Sequence, residues 1–138
     1  MSPWRVSPSL DARAMVDYSL ARRATLTELA AGRRTSAEIC DAQTYLVRAA
    51  RYHGERARET CPVCERDTLA RVSYTFGDCF RGDANGRART PRELLALSRE
   101  LPEFAVYVVE VCESCRWNHL VASYVLGTGE RAPRRARS

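Results

Sequence analysis

Six cysteines occur in this chain of 138 residues, and four of them stand in two short repeats, Cys61-Pro-Val-Cys64 and Cys112-Glu-Ser-Cys115. Thiolates two residues apart can reach one ion from a single tight turn, and two such turns supply the four soft donors of a tetrahedral zinc site. The predicted metal ligands are therefore Cys61, Cys64, Cys112 and Cys115, holding one structural Zn2+ ion. Four thiolates leave no open position for water or substrate, which argues against a catalytic zinc. A thioredoxin-like role for the first repeat needs a long helix after it, whereas an alternating, strand-like segment follows. A redox switch, in which oxidation of the same thiolates releases the metal, stays open as an alternative.

Around these ligands the other reactive residues take lesser roles. Cys40, beside Ile39, reads as a small buried apolar residue, and Cys79 as an exposed thiol in a loop; both are expected to be spectators. His53 and His119 are near enough in sequence to replace a cysteine, but four well-spaced thiolates make local hydrogen bonding the simpler reading. Trp117 and Tyr124 are expected to pack over the site, with base stacking as the alternative. No Ser/His/Asp or paired-carboxylate constellation is present, so the chain is not expected to be an enzyme.

The elements that must position the cysteines follow from periodicity and capping. Residues 1–10 form an irregular lead-in. Residues 11–54 read as a helical unit: a helical stripe through Met15, Val16 and Leu20 to about residue 23, a capping box at Thr25-Leu-Thr-Glu28 with a stop at Gly32, a second box at Thr35-Ser-Ala-Glu38, and a helix capped by Asp41 that stops at Gly54. Residues 55–59 are a charged link into the first repeat. Residues 69–76 alternate as a half-buried strand, residues 77–89 form a mobile surface loop, and Thr90-Pro-Arg-Glu93 opens a helix that Pro102 ends. Residues 104–111 and 117–126 are strands that place the second repeat at a hairpin tip.

The 47 residues between Cys64 and Cys112 exceed the spacing of a compact finger, and the loop and helix at about 77–101 account for the excess. The expected fold is α+β: an N-terminal helical unit (11–54), then a zinc ribbon of three or so antiparallel strands (55–129) with a helical insertion between the knuckles, then a disordered basic tail (130–138).

The net charge of +5 is carried by the ends. Residues 1–60 hold ten Arg against seven acids and residues 130–138 four Arg against one, while residues 61–129 hold eight Arg against nine acids. Phosphate contact is therefore expected away from the cysteines, at Arg48, Arg51, Arg56 and Arg58, which recur about a turn apart, and at Arg134 and Arg135 in the tail. All 22 basic residues are Arg, which a GC-rich genome explains as well as guanidinium chemistry does. With no run of about 18 apolar residues and no signal-peptide core, a cytoplasmic location and no membrane contact are expected.

The chain resembles a family of small, uncharacterised actinobacterial proteins of the zinc-ribbon type. The resemblance rests on Val16-Asp-Tyr-Ser-Leu-Ala-Arg-Arg23, Ile39-Cys-Asp-Ala42, Tyr45-Leu-Val-Arg-Ala-Ala-Arg-Tyr-His-Gly-Glu55, Cys61-Pro-Val-Cys64, Arg89-Thr-Pro-Arg-Glu-Leu94 and Val106-Tyr-Val-Val-Glu-Val-Cys112 through Trp117-Asn-His-Leu120. It implies the fold and a bacterial cytoplasm, and no reaction. The expected function is that of a non-catalytic zinc-binding protein, a binding or regulatory module docking on transcription or translation machinery or on nucleic acid. A redox- or zinc-responsive regulator and a purely structural protein–protein adaptor are the alternatives. A protein partner is expected, nucleic acid is a second candidate, and no small-molecule substrate is evident.

Overall fold

The structure is a computed structural model and describes residues 10–129. The expected basic tail, with Arg134 and Arg135, and all but the last residue of the expected lead-in lie outside the described residues. The elements are β1 (Arg13–Asp17), α1 (Ser19–Ala30), α2 (Ser36–Ile39), α3 (Thr44–His53), β2 (Glu55–Thr60), β3 (Thr68–Phe76), β4 (Arg87–Arg89), α4 (Pro91–Glu100), β5 (Phe104–Val111) and β6 (Asn118–Leu126). They build a six-stranded sheet of order β1-β6-β5-β3-β2, with β4 also beside β3. Every pairing is antiparallel. No helix among the described residues is long and apolar enough to cross a membrane.

Strand alternation puts two apolar sets on opposite faces. Phe104, Val106, Val108, Ala122, Tyr124 and Leu126 share one face and pack against Leu94 of α4. Ala70, Val72 and Val111 share the other and pack against Val47 and Ala50 of α3. The register between β5 and β6 slips between Val108 and Val109, leaving Val121 as an extra residue, which is why both Val121 and Ala122 are buried. At the far end of β5 and β6 the chain folds back on Pro102: Gly127 has φ +127, and a Cβ there would lie 2.4 Å from the Pro102 carbonyl oxygen. Only glycine fits that approach.

Helix α4 starts where its sequence directs. The Thr90 side chain accepts from the Glu93 N–H, the Glu93 carboxylate accepts from the Thr90 N–H at 2.8 Å, and Pro91 occupies the first turn. Thr90→Ala removes the hydroxyl half of this box and is expected to cost about 1 kcal/mol in urea unfolding, with the fold unchanged.

Several local expectations are corrected. Residues 13–17 are a strand, not the start of a helix: they pair with β6, which would otherwise present a free edge, and the Tyr18 N–H continues the ladder to the Val121 carbonyl at 3.0 Å. The stripe that suggested a helix has no core to face, since Met15 is 46% and Leu20 75% exposed. Helix α1 runs unbroken through Thr25, whose hydroxyl bonds back to the Ala21 carbonyl instead of capping a new helix. Asp41 does not cap α3; its carboxylate accepts from Asn118 Nδ2 at 2.9 Å, and Gln43 is the cap residue. The charged link is strand β2, in which only Ala57 is buried. The expected loop at 77–89 contains β4, which shares an edge of β3 with β2. The sheet thus has six strands where three or so were expected, and strands drawn from both sides of residue 54 belong to it.

Candidate metal centre

The two repeats sit at the tips of two neighbouring hairpins. Cys61 follows β2 and the chain re-enters the sheet at β3; Cys112 follows β5 and the chain returns through β6. Because β3 and β5 are paired with Ala70 opposite Val111, both tips emerge at the same end of the sheet.

Each tip has the same backbone construction. The Glu65 N–H bonds to the Cys61 carbonyl at 3.1 Å and the Arg116 N–H to the Cys112 carbonyl at 2.9 Å, closing a five-residue turn around each pair. The residue after the second cysteine is left-handed in both, Glu65 at φ 56 and Arg116 at φ 72. For a residue with a side chain that conformation costs roughly 1 kcal/mol or more. In exchange, backbone N–H groups turn toward the sulfurs: Val63 N–H donates to Cys61 Sγ at 3.4 Å and Arg66 N–H to Cys64 Sγ at 3.5 Å. The turns are also tied to each other by the Ser114 hydroxyl, which donates to the Asp67 carboxylate at 3.0 Å.

The four sulfurs of Cys61, Cys64, Cys112 and Cys115 lie within 4.8 Å of one another. Across the two turns, Cys61 Sγ is 3.7 Å from Cys115 Sγ and Cys64 Sγ is 3.7 Å from Cys112 Sγ. A regular tetrahedron with Zn–S bonds of about 2.3 Å has sulfurs about 3.8 Å apart, so the donor set and its spacing fit a tetrathiolate metal. Cys61 and Cys112 are fully buried, and Cys64 and Cys115 lie at the rim. Burial pushes the Cys61, Cys112 and Cys115 thiols up, Cys115 to about 12, whereas the Arg66 N–H draws Cys64 down to about 7. A pocket that makes thiolate charge this costly is one in which a divalent cation has most to offset.

Behind the sulfurs lies an apolar cluster of Ile39, Ala57, Leu69 and Trp117, with Leu26 and Leu29 of α1 against it. Trp117 is fully buried, as packing over the site predicts, and its indole Nε1 donates to Glu110 at 2.7 Å. The same carboxylate oxygen accepts from Arg22 Nε of α1 at 2.7 Å. Glu110 is 4% exposed and went unnoticed in the sequence; its signal is a lone acid inside the apolar run of β5, where burial demands a partner.

The remaining candidates fall as follows. Cys40 is half-buried beside the cluster, its Sγ 3.6 Å from Cys115 Sγ. Cys79 is half-buried against the Leu94–Phe104 cluster and donates to the Glu103 carbonyl, so it is not the exposed thiol expected. Neither histidine joins the sulfur cluster; His119 stacks on Trp117 and its Nδ1 meets the Leu120 carbonyl at 2.7 Å, while His53 is exposed at the end of α3. Tyr124 is buried in the core under α4. Of the four arginines of the expected ridge, Arg51 and Arg56 both pair with Glu113 in the second turn, at 3.1 and 3.4 Å, and Arg48 and Arg58 are exposed.

Fold and site together define a mixed helix-and-sheet protein whose antiparallel hairpins gather four cysteines into a potential metal centre. The chain belongs to a family of unknown function, DUF5318, whose profile matches residues 10–138. It is similar to the uncharacterized protein Rv0049 of Mycobacterium tuberculosis strain H37Rv and to the uncharacterized protein Mb0050 of Mycobacterium bovis, each 50% identical over 117 residues that cover 85% of both chains. No solved structure gives a significant match.

Proposed function

We propose that Cys61, Cys64, Cys112 and Cys115 hold one structural zinc ion, and that the protein is a non-catalytic, zinc-ribbon-type binding module of the bacterial cytoplasm. The observation that carries this reading is the pair of cross-turn sulfur distances, both 3.7 Å, in a pocket already lined with N–H groups. Zinc in four thiolates supplies a cross-link and not Lewis-acid chemistry, because no coordination position is open. The residues of this chain do the rest: the turns aim the sulfurs, and Trp117 and Ile39 exclude water behind them.

The partner is proposed to meet the outer face of α3, where Tyr45 and Tyr52 are 66% and 67% exposed and Arg48 lies between them in sequence. Exposed aromatics with a cation suit either a protein surface or a single strand of nucleic acid. Elemental analysis of protein purified without added metal tests the core of the reading. One zinc per chain is expected; iron, or no metal, overturns it. Nucleic-acid binding through Arg48 and Arg58 should weaken steeply as salt rises, and salt-independent binding would count against phosphate contact.

A further inference from the structure

Five thiols, not four, meet at this end of the sheet, and a tetrahedral metal uses only four. Cys40 lies at the end of α2, and the segment that follows is fastened to the second cysteine turn. The Ala42 N–H donates to the Arg116 carbonyl at 3.0 Å, Arg116 Nη1 donates to the Ala42 carbonyl at 2.8 Å, and Asn118 Nδ2 donates to Asp41 at 2.9 Å. These three bonds hold Cys40 Sγ 3.6 Å from Cys115 Sγ across 75 residues of chain. A disulfide needs the sulfurs at about 2.05 Å, so an approach of roughly 1.5 Å suffices, and the short α2 and its following loop are the elements that must give.

We propose that Cys40 is an oxidation site that forms a disulfide with Cys115 and thereby opens the metal centre to a hydroperoxide signal. The proposal rests on the reading that the four-cysteine cluster holds a metal. Metal-bound sulfurs have their electron pairs engaged, whereas Cys40 is the thiol that coordination leaves over. A hydroperoxide transfers its terminal oxygen to Cys40, giving a sulfenic acid and an alcohol, or water if the oxidant is hydrogen peroxide. The Cys115 thiolate, leaving the metal, then attacks the Cys40 sulfur; the S–S bond forms, the metal–sulfur bond of Cys115 and the S–O bond break, and the departing hydroxide takes a proton to become water. Two thiols have lost two electrons and the peroxide has gained them. Cys115 is thereby removed as a donor, leaving three thiolates, and the metal site loses affinity. A dithiol reductant reverses the change.

The test uses the full-length protein as purified with its metal. Hydrogen peroxide is added in steps while released zinc is read with a chromophoric chelator, and the products are digested without reduction and mapped by mass spectrometry. The expected result is a Cys40–Cys115 peptide pair formed in step with zinc release, both reversed by dithiothreitol. Cys40→Ser should bind zinc normally and release it at least tenfold more slowly. The proposal is overturned if disulfides form only among Cys61, Cys64, Cys112 and Cys115, or if Cys40→Ser releases zinc as fast as the unmodified chain. It is overturned equally if Cys40→Ser cannot hold zinc, since Cys40 would then be a ligand. Protein that carries no metal as isolated refutes the metal reading instead, and with it the release step; the disulfide map still decides whether Cys40 and Cys115 pair.

Discussion

Cys61→Ser and Cys112→Ser are each expected to lose the metal and, with it, the folded state of the cysteine end of the sheet. Both side chains are fully buried, and each belongs to a different hairpin tip. Without the ion, the direct polar ties between the β2–β3 and β5–β6 tips among the described residues are the Ser114–Asp67 hydrogen bond and the Arg56 pair to Glu113, with Arg51 of α3 paired to the same carboxylate. Exposed ion pairs of that kind contribute about 0–1 kcal/mol each. Binding energy for a structural zinc is on the order of 10 kcal/mol, comparable to the whole stability of a domain of this size. The expected result is a broad or absent cooperative transition on heating, matched by the unmodified protein after treatment with a strong chelator. Cys79→Ser is the control: that side chain is outside the cluster, and its melting should stay close to the unmodified value. A sharp, unshifted transition in Cys61→Ser would contradict the account.

Glu110→Ala is expected to destabilise by about 3–5 kcal/mol, the range for removing one partner of a buried, hydrogen-bonded charge pair. The carboxylate lies between the indole N–H of Trp117 and the Arg22 guanidinium, both at 2.7 Å, and its loss leaves the buried indole N–H without an acceptor and the partly exposed guanidinium without its partner. Because Arg22 comes from α1 and Trp117 from the wall of the sulfur pocket, the change should also loosen α1 from the sheet. Amide exchange in residues 19–30 should then rise more than in α4. The double variant Glu110→Leu with Arg22→Met should recover part of the loss, since it removes the buried charges together. Urea unfolding followed by circular dichroism measures all three proteins; a Glu110→Ala cost below about 1 kcal/mol would show that the pair does not anchor α1.

Where residues alone determined an element, the sequence was readable. Strands β3, β5 and β6 are rich in β-branched and aromatic residues and alternate over most of their eight or nine residues, and α4 carries a complete capping box with a first-turn proline. The four clustered cysteines were readable for the same reason, since a CxxC turn is local. What escaped were features that depend on a neighbour. Strand β2 is Glu-Arg-Ala-Arg-Glu-Thr, an edge strand with a single buried side chain, and its charges read as a link. Strand β1 contains a left-handed Ala14 and exists to cover the edge of β6, which no periodicity within residues 13–17 records. Cys40 looked like an ordinary small residue because its meaning comes from Cys115, brought to it by the docking of Ala42 on Arg116. The arginine spacing is also set by neighbours: it is helical up to Gly54, Arg56 extends from a strand, and both Arg51 and Arg56 pair with Glu113.

X-ray absorption at the zinc edge of the purified, reduced protein tests the central claim most directly. The account predicts a single shell of four sulfur scatterers at about 2.3 Å, with no nitrogen or oxygen contribution. A shell containing nitrogen or oxygen, or zinc bound loosely at a fraction of one ion per chain, would contradict it.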